Sequence, residues 1–182
     1  MLNSDLLVAE LAAEMKQCTV ANCTDRQFTE RCKKRTFDFC CEHGVPDVLY
    51  TKPADTESGR KSEFLVDLCA FAEQRMVLAL ESEWVPTLDS IFFDFRKLLH
   101  LKTALKVMIC DSAVFIKDDL RSVAEFPALY PDHQFGEEYI IFNFYGRQSI
   151  IHCHRWKPEQ DGAVKPEDVR FAVVEGFPRQ TK

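Results

Sequence analysis

The feature that most constrains this chain is the run from 62 to 110, SEFLVDLCAFAEQRMVLALESEWVPTLDSIFFDFRKLLHLKTALKVMIC, where the hydrophobic pattern changes from strand to helix and back. Residues 64–71 and 76–84 are rich in strand formers, and the AEQR between them is short enough for a hairpin, so an antiparallel pair is expected. Pro86 stops the second strand. Residues 89–102, DSIFFDFRKLLHLK, then take helical spacing, with Phe92, Phe95, Leu98, Leu99 and Lys102 at helical intervals and Asp89 or Ser90 as the cap. ALKVMIC is a short, nearly all-apolar strand of the kind found mid-sheet under cover on both faces. Strand, helix and strand from 76 to 110 are compatible with a right-handed crossover between parallel strands.

The flanks extend this pattern. Residues 3–16 form an amphipathic helix capped by Asn3 or Ser4, followed by a polar break around 19–23. A second helix runs over 24–44, opened by Thr24 with Gln27 as its box partner and closed by Gly44. It carries Arg26, Arg31, Lys33, Lys34 and Arg35, the densest basic cluster in the chain. That cluster is compatible with a phosphate-facing flank, but the plainer expectation is a solvated helix face. Residues 45–50 are an edge strand entered through Pro46, and 52–61 read as a loop. After 110 a helix is expected within 117–129, ended before Pro127, then a loop over 130–138 and a strand pair over 138–156 turned tightly at Gly146 and Arg147. A loop over 157–166 and a last strand over 168–176 follow, before an expected disordered tail. The fold class is therefore α/β: one domain over 1–182, three-layered around a mixed central sheet, with a strand-rich C-terminal extension.

A formal net charge of −6 argues against broad, charge-driven binding to a phosphate backbone, leaving a local basic face or a metal-bridged contact as the routes to nucleic acid. Eight cysteines follow no apolar leader, and several sit inside periodic apolar runs, which points to thiols in a reducing cytoplasm. No stretch approaches a membrane span. Cys18, Cys23 and Cys32 lack the tight pairing of a structural zinc site.

The chemistry concentrates on the central hairpin. Asp67 stands in an apolar strand, where a charge is costly unless it is paired or bound to an ion. Glu81 and Glu83 are two apart and so share one strand face, with Ser82 pointing away. A register that brings Asp67 beside Glu81 would converge three hard oxygen ligands suited to Mg2+ or Mn2+. Asp67 and Glu81 are then the primary ligands, and Glu83 is a further ligand or the base that orients an attacking water. Lys97 and Lys102 are auxiliary candidates for stabilising phosphate charge, although Lys97 also has Asp94 as an ordinary helix-surface partner. His152 and His154 flank an inward Cys153 and would need His133 or His43 to complete a soft-metal site; exposed strand residues are the plainer expectation. Among the aromatics, Tyr145 and Trp156 are weak candidates for an interface with a base or a second copy of the chain.

VDLCAF, thirteen residues between Asp67 and Glu81, and then LALESEW resemble the PD-(D/E)XK nuclease superfamily, also called restriction-endonuclease-like. The resemblance covers roughly 24–111. It implies a core of helix, three strands, helix and strand, a magnesium-dependent endonuclease activity on DNA, and Glu42 as a helix-borne contributor. Two positions depart from the family pattern: Val66 replaces the proline before the aspartate, and Glu83 replaces the lysine. Some active endonucleases of this fold are similar to this chain in carrying Glu-Ser-Glu there. The expected function is a metal-dependent DNA phosphodiesterase, with a catalytically inactive nuclease-fold binding or assembly protein as the alternative and homodimerisation as an open partner.

Overall fold

The computed structural model describes residues 2–50, 65–111, 136–145, 150–158 and 164–170. Two helices open the chain. α1, Ser4–Val20, is capped by the Asn3 side chain, which accepts from the amides of Asp5 and Leu6. It runs four residues past the expected end because Asn22, at φ 51°, takes the left-handed position that closes it, with Cys23 N–H donating back to Cys18 C=O. α2, Asp25–Glu42, has the expected capping box between Thr24 and Gln27. At its other end Gly44 adopts φ 78°, and the amides of Gly44 and Val45 donate to Cys41 and Cys40 carbonyls.

Seven strands follow: β1 Asp47–Tyr50, β2 Leu68–Ala72, β3 Arg75–Glu83, β4 Leu105–Asp111, β5 Glu138–Tyr145, β6 Ile150–Pro158 and β7 Val164–Arg170. They form one sheet in sequence order. β1, β2 and β3 are antiparallel neighbours, β4 and β5 continue parallel to β3, and β6 and β7 return antiparallel. The parallel step from β3 to β4 is carried by α3, Leu88–His100, as the strand, helix, strand pattern requires. Several further boundaries differ from expectation. Thr87, not Asp89 or Ser90, caps α3, accepting from the Ser90 amide, and the helix stops at His100. β2 starts at Leu68 because 65–67 form a bend. Lys157 and Pro158 belong to β6, and β7 begins at Val164, inside the expected loop. The expected helix within 117–129, the loop over 52–61 and the turn at Gly146 and Arg147 lie outside the described residues.

The layers follow from which faces are apolar. α1 and α2 bury Leu7, Leu11, Met15, Phe28, Cys32 and Phe39 against Leu78, Leu80, Val107, Ile109, Phe142 and Phe144. On the other face α3 buries Ile91, Phe95, Leu98 and Leu99 against Ala79, Met108, Tyr139, Ile141 and Trp156. Each fully buried Leu or Phe contributes about 1.5–3 kcal/mol, so these two faces fix α3 and α2 relative to β3. Among the described residues no helix is long and apolar enough to cross a membrane.

Candidate functional site

β3 places its acids by simple alternation. Leu80 and Leu78 enter the core under α1 and α2 while Ala79 enters the core under α3, so Glu81 and Glu83 face α3 and Ser82 faces α2. Glu81 is only 3% exposed, at the level of Met108 on β4. Its Oε1 accepts from Lys97 Nζ at 2.8 Å, and the same ammonium lies 2.7 Å from Asp94 Oδ1, one turn earlier on α3. Burial pushes Glu81 up to about 8, against the opposing pull of the Lys97 ammonium, and the charge of Asp67 adds to the rise. Burial works against the charge on Lys97, but its bonds to Asp94 and Glu81 outweigh this and hold the lysine protonated. Glu83 accepts from the Val85 amide at 2.7 Å. Burial raises its carboxyl, the Val85 amide opposes the rise, and contact with Asp94 adds to it.

Asp67 is placed differently. The pairing Leu68↔Leu80 is the last between β2 and β3 at this end, so a regular continuation would set Asp67 opposite Glu81 on the α3 face. The bend at 65–67 breaks that alternation: Val66 packs under α3, and Leu68 packs on the other face. The Asp67 carboxylate instead takes the Ser82 amide at 2.9 Å and the Ser82 hydroxyl at 2.6 Å, both on Oδ2. Asp67 Oδ2 is thus engaged with Ser82, while the charge of Asp67 still acts on Glu81. Among the described residues no group of three or more His, Cys, Asp or Glu side chains is placed to hold a metal ion.

The auxiliary candidates separate. Lys97 is in the site. Lys102 falls beyond α3, beside Gln74, Arg75 and Met76, where it lines an open cleft of about 630 Å³ at the opposite end of β3. That is five residues of strand from Glu81, roughly 16 Å. Glu42 sits at the far end of α2, paired with Arg35, about 20 Å along the helix axis from Thr29, the α2 residue that reaches Ser82. The basic cluster on the same helix is largely absorbed internally: Arg31 pairs with Glu14, Lys33 with Glu30, Lys34 with Asp38, and Arg35 with Glu10 and Glu42. Arg31 and Arg35 clamp α2 to α1, while Arg26 is exposed.

The remaining expectations resolve as follows. Cys153 is buried under α1, and the rings of His152 and His154 lie 6.3 Å apart on the other face. His43 accompanies the C-terminus of α2, its Nδ1 2.8 Å from Phe39 C=O, and His133 lies outside the described residues. Trp156 is 3% exposed in the α3-side core, which removes it as a surface candidate; the side chain of Tyr145 lies outside the description. The sequence reading missed two polar groups. One is Thr29 with Trp84, whose indole N–H donates to Thr29 Oγ1 at 2.6 Å. The other is Lys106, 1% exposed, whose Nζ lies 2.8 Å from Tyr139 Oη and 3.1 Å from Glu137 Oε2. A lysine inside the apolar run ALKVMIC was the available signal, since a buried charge requires partners.

No protein-family model, curated protein or solved structure matches the chain.

Proposed function

We propose that the Glu81 end of the sheet is a metal-dependent phosphodiesterase site of the PD-(D/E)XK kind, with DNA as its substrate class. The observation that carries this reading is the 2.8 Å contact between Lys97 and Glu81. The strand has Glu83 where the family pattern has a lysine, and α3 supplies an ammonium to the same acid from the side. The order α2, β1, β2, β3, α3, β4, with β4 parallel to the acid-bearing strand, supports the same reading.

The donor set fits a hard divalent cation in kind: Asp67 and Glu81 offer carboxylate oxygens, and the repulsion that helps raise Glu81 is what a cation relieves. Asp67 and Glu81 would hold Mg2+ or Mn2+, with Glu83 as a further ligand or base. The cation supplies polarisation of a phosphate diester and acidification of a water. Lys97 would then stabilise negative charge developing on the phosphate. All eight cysteines are free thiols, in keeping with a reducing compartment as the place of action.

A second reading is favoured by the same contact. Lys97, bridging Asp94 and Glu81, neutralises the acids without a metal, as expected of a nuclease fold kept for binding or assembly. Calorimetric titration of Mg2+ and Mn2+ into the full chain and its Glu81→Ala variant, with cleavage assays on DNA and RNA, separates the two. Metal uptake and DNA cleavage that both disappear in the variant support the enzyme; a folded wild type showing neither leaves the second reading standing.

A further inference from the structure

Next to the carboxylates, four groups form a line. Trp84 Nε1 lies 2.6 Å from Thr29 Oγ1, Thr29 Oγ1 lies 3.3 Å from Ser82 Oγ, and Ser82 Oγ lies 2.6 Å from Asp67 Oδ2. The donor inventory fixes its direction. An indole N–H only donates, so Thr29 accepts from Trp84. Oδ2 of Asp67 already accepts the Ser82 amide, so the Ser82 hydroxyl donates to it as well. Each hydroxyl carries one proton, and that of Ser82 is committed to Asp67; Thr29 therefore donates to Ser82. Every proton in the line points toward Asp67.

The surroundings hold this line in place. The Trp84 ring packs against Phe28 at 4.9 Å and Phe144 at 6.4 Å, which keeps its N–H aimed at α2. Asp67, by contrast, lies in the bend before β2, where among the described residues no strand pairing fixes its backbone. Its orientation therefore depends on the groups that grip its carboxylate.

We propose that Thr29 and Ser82, backed by Trp84, are positioning residues for Asp67, so that α2 serves the site through a hydroxyl and not through Glu42. This rests on the metal-dependent reading for its consequence: partners behind a ligating carboxylate change metal affinity by about 10- to 100-fold. Its structural content, that the line orients Asp67, is testable without metal.

The test uses the full chain labelled with 13C at aspartate carboxyls, the Asp67 signal being identified by its loss in Asp67→Asn. Thr29→Val keeps the shape and removes the hydroxyl; Thr29→Ser restores it. Thr29→Val should move both the Asp67 carboxyl signal and the Trp84 indole N–H signal, and Thr29→Ser should return both. Ser82→Ala, which breaks the line one step later, should move the Asp67 signal by more. An Asp67 signal indifferent to Thr29→Val overturns the proposal, because the line then ends in packing. In Mn2+ titrations Thr29→Val should weaken binding about tenfold, with recovery in Thr29→Ser; unchanged Mn2+ affinity also overturns it. A wild type that takes up no Mn2+ defeats the metal reading alone, and the carboxyl signal still decides whether Asp67 is oriented by this line.

Discussion

Lys97 Nζ rests 2.8 Å from Glu81 Oε1, so a helix ammonium occupies the carboxylate that a metal would need. On the proposed reading, a metal ion and this ammonium would compete for one acid. Replacing Lys97 with Met should therefore tighten Mn2+ binding several-fold while lowering DNA cleavage by at least about a hundredfold, since an ammonium aimed at developing charge is worth roughly 3 kcal/mol. The fold should lose roughly 1–3 kcal/mol, because a buried carboxyl is left without its donor. Calorimetry, single-turnover cleavage and urea unfolding read the three effects. Metal binding that weakens in K97M would show that Lys97 organises the acids and does not compete for them.

Glu81 also makes stability depend on pH. Its carboxyl is raised to about 8 in the fold from an ordinary 4.5, so between those values the native state holds a proton that the unfolded chain has released. Stability from this group is fully present below about 4.5 and is lost as pH rises through about 8. Urea unfolding from pH 5 to 9 should show a decline on the order of 2 kcal/mol, below the full conversion of the shift. E81Q, which cannot ionise, should flatten the curve. An equal decline in E81Q would assign the effect to other groups.

How much of this was legible in the sequence depended on period. Apolar residues at strand and helix spacing placed β3, α3 and β4, and capping chemistry placed both ends of α2, because Thr24, Gln27 and Gly44 act locally. Glu81 and Glu83 fell on one face for the same reason. Asp67 did not follow, since alternation assumes an unbroken strand and the bend at 65–67 turns its carboxylate to Ser82. Lys102 was drawn into the helix stripe by spacing alone, although the helix had already ended at His100. The pairing of α2 cations with Glu10 and Glu14 is a long-range match that no local pattern encodes.

The β2–β3 hairpin carries avoidable strain. Glu73 and Gln74 stand at φ 49° and 64°, between the paired residues Ala72 and Arg75. This is a two-residue turn of the type that favours Asn-Gly, and ordinary residues there cost roughly 1 kcal/mol or more each. E73N/Q74G should raise stability by about 1 kcal/mol and the melting temperature by a few degrees, as followed by thermal unfolding. No gain would mean that the side chains of Glu73 and Gln74 make compensating contacts.

The Lys106 group gives the sharpest contrast between a paired and an unpaired buried charge. Lys106 Nζ is held by Glu137 and Tyr139, and Tyr139 Oη donates to Glu137 Oε2 at 3.0 Å, closing a triangle at the N-terminal end of the parallel strands. Burial lowers the lysine, with Glu137 opposing. K106M leaves the Glu137 carboxylate without its cation and should cost about 2–4 kcal/mol, whereas K106M/E137Q, which removes both charges, should recover more than half of that loss. E137Q alone should show a different signature. Its folded lysine then gives up its proton at a lower pH than the unfolded chain, which titrates near 10.5, so the unfolded state binds more protons and stability rises with pH toward that value. Urea unfolding of the four proteins at pH 7 and 9.5 completes the double-mutant cycle. Additive losses, with no recovery in the double variant, would show that Lys106 and Glu137 are stabilised independently, by Tyr139 and by the Leu99 carbonyl 3.5 Å from the ammonium.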